Sequence, residues 1–185
     1  MQASLWLALL AGVGIAAAAG LRAFLPLFVL GLAARAGLVD LHRSSEWLAS
    51  DVALVALGVA TVLEIAGDKI PIVDHALDLV ATVIRPLAAW FGAYAMLVAW
   101  PAPWGQIAAA VLAVGALGLH AFKAQLRLGS TALTAGTANP FVSIVEDLTS
   151  LALVAAAVLY VPVLALLLVA LAAWALRRRG RRRPA

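Results

Sequence analysis

The sequence predicts an all-α membrane protein, a polytopic helix bundle of six or seven segments. Of its 185 residues, 65% are hydrophobic and only 12% are charged, whereas soluble domains carry about 45–50% apolar and about 25% charged residues. The mean hydropathy is correspondingly high, at +1.06. The apolar runs are continuous and do not alternate with polar residues. This pattern favours spanning helices over a barrel, because a chain inside lipid must satisfy its backbone hydrogen bonds internally.

Six apolar runs define the segments, and we expect a single transmembrane domain over residues 1–176. The runs are Ser4–Ala19, Ala23–Val39, Trp47–Ala66, Thr82–Trp100, Gln106–Phe122 and Val142–Leu176. Pro162 is expected to divide the last run, since proline interrupts a helix. Several runs are near or below the roughly 20 residues that a spanning helix needs. The segment Trp100–Trp104, with prolines at 101 and 103, predicts a turn in the interfacial belt, where tryptophan is enriched.

Residues 177–185 are predicted to form a basic cytoplasmic tail. Six of the 13 Lys and Arg residues lie at Arg177–Arg179 and Arg181–Arg183, and residues 1–176 carry a balance of −2. Arginines directly after an apolar helix follow the positive-inside rule, and each gains about 1 kcal/mol from anionic lipid headgroups. We therefore expect the bilayer and its anionic headgroups as partners, and no nucleic acid. The chain has no cysteine, which excludes disulfides and thiolate chemistry.

An internal repeat lies in the polar parts of the chain. Residues 66–79 align without gaps on residues 135–148 at an offset of 69, with identical Ala, Gly, Pro, Val, Asp and Leu. Glycine frees the backbone and proline removes a donor, so each motif is expected to end one helix and to start another near Pro71 and Pro140. Two matching Gly/Pro breaks in a membrane protein point to a transporter's binding site. A pair of duplicated surface loops is the alternative.

Charged residues follow each break on one helical face. Asp74, Asp78 and Arg85 recur at helical spacing after the first break, and Glu146 and Asp147 follow the second. Upstream, a basic face contains His120, Lys123 and Arg127, and Arg22 interrupts the apolar N-terminal stretch. An ion at mid-bilayer costs about 2.5–3.5 kcal/mol. These groups are therefore expected to face one another in a shared cluster.

Several of these segments together resemble a known family. They are the stretch Ala19–Pro26, the block from Glu64 to Asp74, Arg85-Pro86, and the block from Thr134 to Asp147. The chain resembles the bacterial membrane proteins grouped as domain of unknown function 4126, over nearly its whole length. This resemblance implies a small multi-pass protein of the inner membrane whose polar blocks characterise the family. It implies no particular activity.

Three classes of function remain open, and we favour the first. The first is a transporter or channel for a small polar solute or ion, in which the paired breaks hold the solute. The second is a structural or assembly protein whose buried charges fix helix register. The third is a membrane enzyme that acts on a lipid phosphate with a divalent metal held by Asp74 and Asp78.

The candidate binding residues are the polar groups and glycines at the two breaks and the charges expected to face them. They are Arg22, Glu64, Gly67, Asp68, Lys69, Asp74, Asp78, Arg85, Lys123, Thr137, Asn139, Glu146 and Asp147. No catalytic residue and no cofactor is predicted. A homo-oligomer is compatible with the sequence, which does not fix the oligomeric state.

Overall fold

The computed structural model describes the backbone of residues 2–68 and 71–180, and the side chains of residues 5–68 and 80–159. Over those residues the chain forms six α-helices and one 3-10 helix, with no strand. They are α1 Gln2–Leu21, α2 Phe24–Arg35, the 3-10 helix Arg43–Ala49, α3 Asp51–Gly67, α4 Pro71–Met96, α5 Trp104–Thr134 and α6 Asn139–Gly180. The prediction of an all-helical fold is confirmed.

Two of the described helices are long and apolar enough to cross a membrane. They are α5 and the part of α6 from Asn139 to Leu159. The 3-10 helix and α3 form a third candidate if they are counted as one span, although they bend by 66° at their junction. Leu5–Leu21, Phe24–Arg35 and Val80–Met96 are apolar but shorter. The fold therefore has the apolar helices of a membrane protein.

The expected division of the last apolar run at Pro162 is wrong. The backbone of α6 is helical from Asn139 to Gly180 without interruption. Proline removes one hydrogen bond from a helix, but membrane helices tolerate this loss because local adjustments satisfy the freed carbonyl. The helix also continues through Arg177, so the basic tail begins inside α6.

Helix α1 lies at the centre of the bundle and packs against α4, α5 and α6. Helix α5 runs parallel to it, since Lys123 donates to the Leu21 carbonyl at one end and the nearby Trp100 indole donates to the Leu5 carbonyl at the other. Helix α6 runs antiparallel to α1. Its Ser150 hydroxyl donates to the Ala18 carbonyl, and Ala157, further along α6, approaches Gly14, which is earlier in α1.

The chain reverses direction between α1 and α2. The nitrogen of Arg22 still donates to the carbonyl of Ala18 as the last bond of α1, and α2 begins at Phe24. After α2, the backbone nitrogen of His42 donates to Ala95 near the end of α4, so the chain has returned to the level where α1 started.

The two glycine and proline motifs each lie between helices. Pro71 is the first residue of α4 and Pro140 is the second residue of α6, as expected of proline at a helix start. Gly136 has a φ of +83°, which opens the turn after α5. Gly67 differs, because it remains helical as the last residue of α3. The first break therefore begins after Gly67, and the duplication itself stays a prediction.

Candidate functional site

Arg22 occupies the junction between α1 and α2 and is fully buried, with an exposure of 0%. Its guanidinium donates to the carboxylate of Asp68, at the end of α3. Its Nε atom lies 2.6 Å from Oδ1 of Asp147, on α6. Its Nη2 atom donates to the Ser143 hydroxyl at 2.8 Å. The junction between α1 and α2 thus places Arg22 between α3 and α6.

The basic face of α5 points into the same region. Its residues recur every three or four positions, so they share one side of the helix, and Lys123 and Arg127 are both buried. Arg127 Nη2 lies 2.8 Å from carboxylate oxygens of both Asp68 and Glu146. Lys123 Nζ lies 2.9 Å from Glu146 and 3.7 Å from Asp68. Two cations therefore share the same two carboxylates.

Glu64 lies on α3 and contacts both the start of α2 and the ion-paired side chains. Its two carboxylate oxygens accept the backbone N–H groups of Ala23 at 2.8 Å and Phe24 at 3.1 Å. These N–H groups have no partner inside α2, because they lie at its first turn. Arg85 Nη2 lies 3.7 Å from the Glu64 carboxylate, and its guanidinium also contacts the His120 ring. Glu64, a residue of α3, therefore caps the N-terminus of a different helix, α2.

These side chains form what we call the ion-pair cluster. Its charged members in the described part of the chain are Arg22, Arg85, Lys123, Arg127, Glu64, Asp68, Glu146 and Asp147. Four cations thus face four carboxylates, and all except the half-buried Asp147 are buried. Pairing lowers the cost of burying charge, but the loss of one partner leaves an uncompensated ion.

Two hollows reach this cluster from different sides. The first, the α3–α4 cavity, has a volume of about 250 Å³ and is lined by Glu64, Asp68 and Arg85 together with apolar residues of α2, α3 and α4. The second, the α5–α6 groove, has a volume of about 690 Å³ and is lined by Lys123, Glu146 and apolar residues of α1, α5 and α6. Each hollow therefore exposes a different set of charges from one network.

Seven of the predicted candidates meet in the cluster. They are Arg22, Glu64, Asp68, Arg85, Lys123, Glu146 and Asp147. Thr137 and Asn139 lie outside it and make local contacts: the Thr137 hydroxyl donates to the carbonyl of Thr134, and the Asn139 amide donates to Thr131. The second break therefore contributes to the cluster through the first turns of α6 and not through its own polar side chains.

Gly67 ends α3 beside Asp68 and has no side chain to contribute. The other remaining candidates cannot be placed in the cluster. Lys69 and the side chains of Asp74 and Asp78 lie outside the described residues. The suggested metal ligands Asp74 and Asp78 therefore stay a prediction. Among the side chains that the structure describes, no three His, Cys, Asp or Glu residues are grouped so that they could hold a metal ion.

Arg127 and Ser143 are central residues that the candidate set omitted. Arg127 lies one turn beyond Lys123 on the predicted basic face, and this spacing had already placed it in the expected cluster, although not among the candidate binding residues. Ser143 accepts from Arg22 and is fully buried. Its position three residues before Glu146 places it on the same face of α6. For both residues, the helical spacing indicates a position in the cluster, whereas the residue type alone does not.

Comparison with known proteins identifies a family but no activity. No curated protein and no solved structure matches the chain. The family model described as a domain of unknown function, DUF4126, matches residues 9–182. That match spans the cluster and nearly all of the helices described above. The chain therefore belongs to the DUF4126 family.

Proposed function

We propose that the protein is a membrane transporter or channel for a small polar solute or ion, and that the ion-pair cluster is the closed barrier on its path. One observation carries the proposal: the α3–α4 cavity and the α5–α6 groove end on the same cluster. Asp68 lines the cavity, Lys123 lines the groove, and Asp68 Oδ2 lies 3.7 Å from Lys123 Nζ. A solute that crosses the protein between the two hollows must replace this contact.

The broken helices support the same interpretation. The α1–α2 junction and the end of α3 lie inside the bundle, beside Arg85 near the middle of α4 and His120 near the middle of α5. Transporters commonly form their sites where discontinuous helices expose polar backbone within the bilayer. Here Arg22 follows one helix end and Asp68 follows another.

A charged solute suits this barrier better than a neutral one. Each ion pair separates at a high cost in a low-dielectric site, and a neutral solute does not compensate the charges that it parts. An ion or a proton does so, because it replaces one partner. We therefore expect the solute to be an ion or a proton, passing through exchange of partners at Asp68 and Lys123.

The test is flux through the purified protein in liposomes, with proton, sodium and divalent metal ions as separate probes. We expect flux of at least one probe above that of empty liposomes, and we expect Asp68→Asn to lower it at least tenfold. The matched control is Asp51→Asn, because Asp51 pairs with Arg35 on the surface with a side-chain exposure of 81%. Flux that is absent for every probe, or unchanged in Asp68→Asn, contradicts the proposal.

A second candidate is a structural or assembly role, which one observation favours. Each described carboxylate of the cluster has a fixed arginine or lysine within 4 Å; Asp147, for example, faces Arg22 at 2.6 Å. If the pair is purely structural, it contributes to the stability of the fold, and removing its negative charge in Asp147→Asn lowers that stability. In a transporter the same variant stays folded and loses flux. The metal-dependent enzyme remains a prediction that depends on Asp74 and Asp78.

The proposal also includes an orientation in the inner membrane with a cytoplasmic C-terminus. It is supported by the arginines at 177–179 and 181–183, since basic residues after an apolar helix favour the cytoplasmic side. Fusion of a fluorescent protein that matures only in the cytoplasm to the C-terminus tests the orientation. Fluorescent cells support it, and dark cells that contain the intact fusion contradict it.

A further inference from the structure

The side of helix α5 that faces away from the bundle carries a regular pattern. Its buried residues, which include Ala113, His120 and Arg127, lie on the side that packs against α1 and α4. On the opposite side, exposed residues follow one another at alternating steps of three and four positions. We call these residues the α5 seam: Val111, Val114, Gly118, Ala121, Gln125 and Leu128. A mean spacing of 3.5 residues is the heptad pattern by which one helix packs along another.

Gln125 places a polar amide on this exposed side. Helix α5 is long and apolar enough to cross a membrane, and Val114 and Leu128, before and after Gln125 in the seam, are 71% and 66% exposed. Among the residues that the structure describes, none forms a hydrogen bond with the Gln125 amide. Hydrocarbon offers neither a donor nor an acceptor, so an unpaired amide costs free energy there. A polar group on a neighbouring helix removes this cost.

Two small residues lie beside Gln125 in the seam. Ala121 and Gly118 precede it by one and two helical turns. A Cβ atom at Gly118 would meet no atom within 4 Å, so packing inside the bundle does not require glycine at this position. In membranes, glycine and alanine let two helix backbones approach closely, and polar side chains then hydrogen-bond across the contact. Both features of the seam therefore suit a helix from another molecule.

We propose that a second copy of this chain binds the α5 seam, so that two parallel α5 helices form a dimer about a two-fold axis. A two-fold interface joins the same surface patch of both subunits, which must be complementary to itself. The seam meets this condition because it carries no charge and because a side-chain amide both donates and accepts. Gln125 of each copy therefore pairs with Gln125 of the other and fixes the register of the two helices.

The dimer leaves the α5–α6 groove open. The residues of α5 that line the groove include Leu119, Phe122 and Leu126, and they lie about a quarter of a turn around the helix from the seam. The inference therefore does not depend on the proposed transport, and it leaves the path between the two hollows unchanged.

Cross-linking of single cysteines in liposomes locates the interface, because the chain has no cysteine of its own. Val111→Cys and Leu128→Cys place a thiol near each end of the seam, where we expect the Cα atoms of the two copies within the roughly 4.4–6.8 Å that a disulfide spans. The controls Leu119→Cys and Leu126→Cys expose a thiol on the groove side. Oxidation with copper phenanthroline is expected to yield at least fivefold more covalent dimer from the seam variants. Equal yields from seam and control variants overturn the proposal.

Single-molecule photobleaching of labelled protein at decreasing protein-to-lipid ratios measures the dissociation constant of the dimer. Gly118→Leu keeps the two helices apart and is expected to raise this constant at least tenfold. Gly115→Leu is the matched control, because Gly115 is exposed on α5, has no atom within 4 Å of an added Cβ and lies outside the seam. Its dissociation constant is expected to stay within twofold of that of the unsubstituted protein.

A second pair of variants tests the amide itself. Gln125→Leu removes the hydrogen bonds between the two copies and is expected to raise the dissociation constant at least threefold. Gln106→Leu is the control, since Gln106 is the other exposed glutamine of α5 and lies outside the seam. Equal effects of the seam and control substitutions overturn the proposal. A protein that stays monomeric at every protein-to-lipid ratio also overturns it, because the seam then faces lipid or a different protein.

Discussion

Lys123 and Glu146 join α5 to α6 through a contact of 2.9 Å between the ammonium and the carboxylate. The two helices follow one another in the chain, yet they touch along little of their length, and the groove separates them. The pair lies at the base of that groove, with both side chains buried. A polar contact therefore holds the α5–α6 hairpin at a position where apolar packing is sparse.

The first prediction concerns this pair. Lys123→Met and Glu146→Gln each remove one charge of the buried pair, and each is expected to cost less than the roughly 3–5 kcal/mol of a fully uncompensated buried charge. The reason is that Glu146 still faces Arg127 and Lys123 still faces Asp68. The double variant is expected to lose less than the sum of the two single losses, by about 0.5–3 kcal/mol, because the residues contact each other. Unfolding in mixed detergent micelles measures all three free energies.

The Arg35–Asp51 pair is the matched control for that cycle. Like the first pair, it joins a basic to an acidic residue on neighbouring helices, but its side chains are 50% and 81% exposed. Exposed pairs contribute about 0–1 kcal/mol. A coupling between Lys123 and Glu146 no larger than that of Arg35 and Asp51 contradicts the assignment of a buried pair.

The second prediction concerns Arg22, which contacts α3 through Asp68 and α6 through Ser143 and Asp147. Arg22→Ala leaves two carboxylates without this partner and is expected to destabilise the protein by at least about 3 kcal/mol. Arg22→Lys retains the charge, but an ammonium lacks the planar fork of a guanidinium, so an intermediate loss is expected. Thermal unfolding in detergent compares both variants with Arg35→Ala, and equal shifts for Arg22→Ala and Arg35→Ala contradict this role.

Much of the fold could be predicted from the apolar runs of the sequence, the polar residues that interrupt them and the helical spacing of the charged residues. The apolar runs located the six α-helices but not the 3-10 helix, and the polar interruption at Arg22 marked the junction between α1 and α2. The helical spacing of Lys123 and Glu146 within their own segments predicted that they face inward. The high cost of an unpaired charge in lipid then predicted that such groups meet.

Partner choice within the cluster could not be predicted in the same way. Which carboxylate faces Arg22 depends on the directions in which α3 and α6 approach it, and helix packing sets those directions. The cap that Glu64 provides to Ala23 and Phe24 joins residues about forty positions apart in the chain. Pro162 was misjudged because its effect depends on context, and a membrane helix tolerates it.

The third prediction tests the cap that Glu64 places on α2. Glu64→Ala removes the acceptor of both the Ala23 and Phe24 N–H groups, and each unsatisfied group costs about 1–3 kcal/mol. Glu64→Gln retains one oxygen and is expected to lose roughly half as much. The free energy of unfolding in mixed micelles is the measurement. Glu46→Ala is the control, since Glu46 is exposed on the 3-10 helix. A loss in Glu64→Ala no greater than in Glu46→Ala contradicts the cap.

The last prediction concerns the close approach of α2 to the 3-10 helix at Gly31. A Cβ atom at this position would lie 2.5 Å from the carbonyl oxygen of Leu48, a backbone atom that cannot move alone. Gly31→Ala is therefore expected to destabilise the protein by about 1–3 kcal/mol, as overpacking does. Gly118→Ala is the control on α5, because no atom outside its own turn lies within 4 Å of the new Cβ. That substitution is expected to be neutral or to stabilise by up to about 1 kcal/mol through helix propensity. Thermal unfolding of the two variants in the same detergent decides the question, and a loss of stability in Gly118→Ala equal to that in Gly31→Ala would show that the approach at Leu48 is not what requires glycine.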